Sequence, residues 1–204
     1  MTRHGWWREN RFWLPAVPLA LAAVLAATSY NVRDYWYDEG LRHEVATASL
    51  GERISVTDDY DDALGQTSRT FSVRLEGLQE TDTYPFDLED GPPPAGTRVL
   101  KAVLDWAADP DQVLQGCTVA LVDSSGRRYE RVDSFSQTNM CVRYGHEGPD
   151  APDAEGEVRG TVEDGAERAP TWTTRSSFLV PDGVRITQVL VWWERPDYVA
   201  LSVS

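Results

Sequence analysis

The sequence is poor in the side chains that most often carry enzyme chemistry or bind metals. Its 204 residues include two cysteines, three histidines and a single lysine. His4, His43 and His146 stand far apart, and none has a cysteine or a second histidine at ligand spacing. No G-x-S-x-G motif and no glycine-rich phosphate loop is present. We therefore expect no cofactor, no metal and no covalent chemistry, and the alternative is an envelope hydrolase that uses His43 or His146.

Positive charge is also scarce. The formal net charge is −14, and from Arg33 onward 16 basic residues stand against 32 acidic ones. Such a surface repels phosphate backbones, which argues against nucleic-acid binding. It favours an envelope protein partner with a basic surface, and association driven by charge is sensitive to salt. Residues 147–167 hold eight acids against Arg159 alone, and we expect a long solvated excursion between strands. We expect the docking contacts to come either from this excursion or from loops at one end of the sandwich.

The one long uncharged stretch, residues 12–32, is apolar throughout from 14 to 27. Arginines precede it and acids follow it, so the positive-inside rule places the N-terminus in the cytoplasm. We predict a cytoplasmic tail at 1–12, a single transmembrane helix at 13–32, a juxtamembrane segment at 33–50 and an extracellular domain at 51–204. Aromatic residues flank the helix like interfacial belts: Trp6, Trp7, Trp13, Tyr30, Tyr35, Trp36 and Tyr37.

A cleaved secretory signal is the competing interpretation of this segment, because the strongly apolar part is only as long as a signal-peptide core. Cleavage after Ala27 or after Ser29 gives a weak match to the preferred small residues. The protein would then be secreted. No cysteine follows the apolar run, which disfavours a lipoprotein. Both main interpretations export most of the chain.

Cys117 and Cys141 are the only cysteines, and both lie in the exported part. An oxidising compartment lets a disulfide persist, so we predict that the two are bonded. Closing a loop of about 25 residues stabilises a fold by roughly 3.5 kcal/mol on the chain-entropy model. Two unpaired buried thiols are the alternative.

After residue 50 the hydrophobic pattern has a period of two. Residues 70–77 place Phe71, Val73 and Leu75 on one face, and residues 98–107 continue the alternation. The turn signal at 123–126 predicts a hairpin. Seven to nine short strands follow from the whole pattern, which favours an all-β antiparallel sandwich, with a closed barrel as the alternative. Residues 46–50 are either an edge strand or part of a stalk.

Two features of the sequence are candidates for a binding surface. The first is the acidic run of Asp58, Asp59, Asp61 and Asp62, which we interpret as a solvated turn, with a calcium site and a calcium-responsive binding domain as the alternative. The second is the adjacent pair Trp192 and Trp193, which must point to opposite faces of one strand. One of them packs in the core. The other is covered by another segment, with residues 35–37 as the candidate, or it contributes to a recognition surface.

Taken together, these elements resemble the immunoglobulin-like extracellular domains of unknown function found in actinobacterial membrane-anchored proteins and lipoproteins. The resemblance covers roughly residues 50–204 and lies in the anchor, the strand before Cys117, the hairpin at 121–129, the second cysteine and the run at 178–191. It implies an immunoglobulin-like antiparallel β-sandwich outside the membrane and transfers no catalytic residue. The expected function is a membrane-tethered extracellular interaction or structural module of the cell envelope.

Overall fold

The computed structural model describes residues 16–33, 40–62, 65–83, 91–114, 116–130, 141–142 and 168–204. These residues form one helix and nine strands. In chain order they are α1 (Ala16–Arg33), β1 (His43–Ala48), β2 (Arg53–Asp62), β3 (Gly65–Thr81), β4 (Thr97–Ala108), β5 (Thr118–Asp123), β6 (Arg128–Glu130), β7 (Thr171–Pro181), β8 (Ile186–Trp192) and β9 (Asp197–Ser202).

α1 belongs to a unit of its own, Met1–Arg42. Its 18 residues are rich in alanine, and polar groups occupy its C-terminal turns, where Thr28 and Ser29 donate hydrogen bonds to the carbonyls of Val24 and Ala26. In the described part of the chain, no helix has both the length and the apolar character needed to cross a membrane. The transmembrane helix predicted at 13–32 is therefore not supported.

The second unit, His43–Ser204, is a β-sandwich. One sheet has five strands in the order β1-β9-β8-β5-β6, and the other has four in the order β2-β3-β4-β7. Every pairing is antiparallel except that of β1 with β9. Apolar residues from both sheets, among them Val73 and Leu75 of β3 and Val189 and Val191 of β8, pack in one buried cluster. The predicted sandwich and its inward-facing residues are thus confirmed.

The compact unit begins at strand β1. It pairs in parallel with β9 from His43 to Ala48, and Ala48 is buried in the core. Of the two interpretations offered for residues 46–50, the edge strand is the one observed, and the strand starts earlier than the alternation in the sequence indicates.

The β5–β6 hairpin is held by Asp123. One carboxylate oxygen accepts hydrogen bonds from the Ser125 backbone and hydroxyl and from the Arg127 backbone, and the other accepts one from the Tyr129 hydroxyl. These bonds, that of the Ser125 hydroxyl first, lower the pKa of Asp123 to about 2. Gly126 closes the turn at φ 83°, a conformation that side chains disfavour. The local sequence therefore specifies the predicted hairpin.

The predicted disulfide is present. Cys117, just before β5, is bonded to Cys141, and both are buried. The Trp172 indole donates a hydrogen bond to the Cys141 carbonyl at 2.7 Å, and its ring stacks on that of Trp106 at 6.4 Å. The disulfide therefore connects the start of β5 with the aromatic residues of β4 and β7.

Candidate binding surface at one end of the sandwich

The acidic run predicted as a turn lies in strand β2. Asp58 pairs with Arg69, Asp59 with Ser68 and Asp61 with Gln66, all on β3. Residues alternate between the two faces of a strand, so Asp58 shares the inner side with Val56 while Asp59 and Asp61 are exposed on the outer face. The turn interpretation is wrong because β3 continues far enough to pair with the whole run. Asp62 pairs with Gly65 at the end of the ladder.

Arg69 is the residue around which this end of the sandwich is organised. Its side chain is only 4% exposed, its Nε lies 2.8 Å from an Asp58 carboxylate oxygen, and its Nη2 lies 3.0 Å from Glu194. The guanidinium sits 3.9 Å from the centre of the Tyr60 ring and 5.5 Å from that of Trp193. Because Glu194 belongs to the β8–β9 connection, Arg69 ties β2 and β3 to the opposite sheet.

Burial is the largest influence on Asp58 and raises the pKa of its carboxyl above the ordinary value. Arg69 acts in the opposite direction, while the negative charges of Glu194 and Asp197 raise the pKa of Asp58 further. Asp197 in turn lies 2.9 Å from the ring of His43. Carboxylates from both sheets thus meet at one end of the sandwich, which we call the acidic end and define as Asp58, Asp59, Asp61, Glu194 and Asp197.

The two adjacent tryptophans occupy different environments, as their alternation requires. Trp193 packs on Phe71, with ring centres 4.3 Å apart, and meets the Trp106 ring edge-on at 6.3 Å. Trp192 points to the other face of β8 and is 4% exposed, with Arg128 at 5.8 Å and Arg195 at 6.0 Å from its ring. Both residues of the pair lie next to the acidic end, and Trp193 is the one whose ring packs between the sheets.

A small cavity of about 10 Å³ lies here, and its lining includes both tryptophans, Asp58, Glu194 and Asp197. It is comparable to the volume of one water probe and far below that of an organic ligand. Among the described residues, no group of three or more His, Cys, Asp or Glu side chains is placed to hold a metal ion. A ligand would therefore meet the carboxylates of the acidic end on its exposed surface, because the space behind them is too small to hold one.

His43, one of the histidines considered for hydrolysis, stands at the start of β1 and is 70% exposed. Its ring contacts Asp197, and in the described part of the chain no serine or cysteine hydrogen-bonds to it. His146, the acidic segment 147–167 and the candidate lid at 35–37 lie outside the described residues.

Sequence reasoning missed Arg69 and Glu194. A single arginine in a polar stretch carries no periodic signal, and only the register between β2 and β3 places it opposite Asp58. A glutamate after a tryptophan pair is equally inconspicuous. The available signal was that Asp58 and Arg69 lie at equal distances in sequence from residues 63–64, so antiparallel pairing of the two flanking strands brings them together.

Two solved structures are similar to this chain. One is an uncharacterized beta-sandwich protein from Clostridium difficile 630, with 9% sequence identity and a TM-score of 0.39 over 80% of this chain and 97% of that one. The other is a conserved hypothetical protein from Bacillus anthracis, with 11% identity and a TM-score of 0.34 over 73% of this chain and 95% of that one. No protein-family model and no curated protein matches the sequence.

Proposed function

We propose that residues 43–204 are an exported interaction module of the cell envelope that does no covalent chemistry. The observation that carries this proposal is the Cys117–Cys141 disulfide, in a chain whose N-terminal segment has the arginine flank and apolar run of an export signal. Disulfides persist outside the reducing cytoplasm, so the bond and the segment favour the same compartment.

The module is an immunoglobulin-like sandwich in this proposal. Supporting it is the strand order: β1 runs parallel to β9 at the edge of the five-stranded sheet, and β9, β8, β5 and β6 follow in the manner of an immunoglobulin front sheet. In the other sheet β4 pairs with β7, as the second and fifth strands of such domains do, and the β2–β3 hairpin extends that sheet beyond β4.

The partner we propose is an envelope protein with a basic surface, docked on the acidic end. Asp59 and Asp61 are exposed, and the side chains of Glu194 and Asp197 are 57% and 39% exposed. Four carboxylates therefore face solvent near the exposed Arg195, while Arg69 is buried and already paired. A surface with an excess of one sign steers a partner of the opposite sign and selects against partners of the same sign. Nucleic acid is therefore not the proposed ligand.

The alternative of an envelope hydrolase has one feature in its favour, the His43–Asp197 pair at 2.9 Å. A histidine and an acid become a catalytic pair when a nucleophile completes them. The ring of His43 is 70% exposed, and Asp197 is the one described residue that hydrogen-bonds to it, so no nucleophile completes the pair among the described residues. Binding is the better-supported function because exposed carboxylates can contact a basic partner without any nucleophile.

The N-terminal segment is proposed to hold the module at the outer face of the cell membrane. Treating intact cells that express the full chain with a membrane-impermeant protease tests both export and retention. Export predicts that the sandwich is digested, and tethering predicts that the mature N-terminus is Met1 or Thr2 in the membrane fraction. A soluble product beginning near Thr28 would establish the cleaved signal instead. Protection of the sandwich in intact cells, with digestion once the cells are permeabilised, would refute export.

A further inference from the structure

A depression of about 320 Å³ lies on the four-stranded sheet, away from the acidic end. Its volume falls in the range of small-ligand sites, roughly 300–1,000 Å³. It is lined by Arg53, Asp105, Trp106, Thr171, Trp172 and Thr173.

The depression follows from side-chain size in two neighbouring rows across the sheet. Ser55, Ser72, Ala107 and Thr171 occupy paired positions on all four strands and form a row of small side chains. The next row contains longer ones, Arg53, Arg74 and Asp105, and ends at Thr173. A row of small side chains beside a row of long ones leaves a depression, which we call the trough. Because Asp105 and Thr173 alternate with the core residues Trp106 and Trp172, the trough opens on the solvent side of the sheet.

Fixed polar groups stand along this trough. One Asp105 oxygen accepts a hydrogen bond from Arg74 at 2.6 Å and the other accepts one from the Thr173 hydroxyl at 2.7 Å. Those two bonds, Arg74 first, hold the pKa of Asp105 below its ordinary value, so the carboxylate stays ionised at neutral pH. Glu76 also contacts this carboxyl group and lowers its pKa, so about one of its four lone-pair sites remains for a further donor.

Arg53 supplies donors at the other side. Its side chain is exposed, and no described residue forms an ion pair or a hydrogen bond with its guanidinium. Five N–H groups are therefore free to meet acceptors. Thr171 adds an exposed hydroxyl that both donates and accepts. The trough thus offers donors, acceptors and hydroxyls within one ligand-sized volume.

The trough is also electrically balanced in a strongly acidic protein. Arg53 and Arg74 carry two positive charges, and Asp105 and Glu76, which lies 2.5 Å from Arg74, carry two negative ones. A polyanion or a polycation gains little from a balanced surface, whereas a neutral polyhydroxylated molecule matches donors and acceptors alike.

We propose that this trough binds a short stretch of a neutral saccharide, whose hydroxyls donate to Asp105 and accept from Arg53. The site goes beyond the proposed protein docking and shares no residue with the acidic end. Each can therefore fail while the other holds.

The test measures binding of three trisaccharides to the full-length chain by saturation-transfer NMR: neutral cellotriose, cationic chitosan trimer and anionic galacturonate trimer. Cellotriose is expected to bind best. Losing the charge-assisted bonds of Arg53 in Arg53→Met is expected to weaken cellotriose binding about tenfold. The matched control is Arg185→Met, which removes another exposed arginine, in the β7–β8 connection.

Thr171→Leu fills the trough without changing charge and is expected to abolish binding while the circular dichroism and thermal midpoint stay close to wild type. This second variant keeps the test independent of any loss of stability in Arg53→Met. The absence of a cellotriose signal at a ligand concentration on the order of 10 mM, at which weak binding is detectable, would overturn the proposal. Equal binding by Arg53→Met and Arg185→Met, or stronger binding of a charged trimer, would overturn it as well.

Discussion

Replacing Arg69 with methionine should destabilise the sandwich far more than the same change at Arg74. Both arginines lie on β3 and each pairs with two acids, so they form a matched pair that differs in burial. Arg69 is 4% exposed and Arg74 is 36% exposed. Methionine keeps an unbranched apolar side chain but removes the guanidinium, and with it the two ion pairs and, at Arg69, the contact with the Tyr60 ring. Breaking a buried pair costs 3–5 kcal/mol and an exposed pair less than about 1 kcal/mol.

The expected loss for Arg69→Met is about 3 kcal/mol, near the lower end, because Glu194 is largely exposed and regains water when its partner is removed. Asp58, 18% exposed, is the acid left unpaired. For a domain of this size each kcal/mol shifts the melting temperature by roughly 2–4 °C, so Arg69→Met should melt about 6–12 °C lower than wild type.

The pH dependence of this defect identifies its cause. Arg69 lowers the pKa of Asp58, so its removal raises that pKa further above the unfolded value. A group with a raised pKa in the folded state favours the fold when protonated, and that contribution is lost as pH rises through the folded pKa. The defect of Arg69→Met should therefore shrink on acidification, and the double variant with Asp58→Asn should recover stability at neutral pH.

Urea denaturation of both single variants and the double variant, followed at several pH values, measures these effects. Equal losses for Arg69→Met and Arg74→Met would refute the role assigned to burial. A defect of Arg69→Met that does not change with pH would refute the assignment to an unpaired Asp58.

Three further predictions concern other parts of the sandwich. Replacing both Cys117 and Cys141 with alanine should lower the unfolding free energy by about 3.5 kcal/mol, and an unchanged urea midpoint would contradict this. Since the pKa of Asp123 is depressed to about 2, wild type should lose stability as pH falls from the ordinary value of 3.8 towards 2, whereas Asp123→Asn should show a flatter acid-unfolding curve over that range. Trp172→Phe keeps an aromatic ring against Trp106 but loses the hydrogen bond to the Cys141 carbonyl, which should cost about 1–2 kcal/mol by thermal denaturation; a variant as stable as wild type would show that this bond contributes nothing.

The sequence predicted correctly those elements that a local pattern of residues specifies. Period-two alternation identified the buried faces of β3 and β4, the turn residues at 123–126 identified the β5–β6 hairpin, and the compartment argument paired the two cysteines. The alternation and the turn depend on residues close in sequence, and two cysteines allow only one pairing.

What the sequence did not reveal depends on register between distant segments. The run around Asp58 has the composition of a turn, and only pairing with β3 makes it a strand. Glu194 meets Arg69 across 125 residues of sequence. The trough at Arg53 needs four strands in one alignment before small and long side chains form two rows. Such features arise from tertiary pairing and leave no local pattern.

Photocrosslinking in intact cells tests the central claim, that an exported sandwich docks a basic protein through its acidic end. A photoreactive residue replaces Asp61 in the full chain, and the matched control replaces Asp82, an exposed acid just beyond the other end of β3. We predict one protein adduct from position 61 that carries a basic surface, weakens with added salt and with Asp59→Asn, and is absent from position 82. No adduct from position 61, or the same adducts from both positions, would contradict the account.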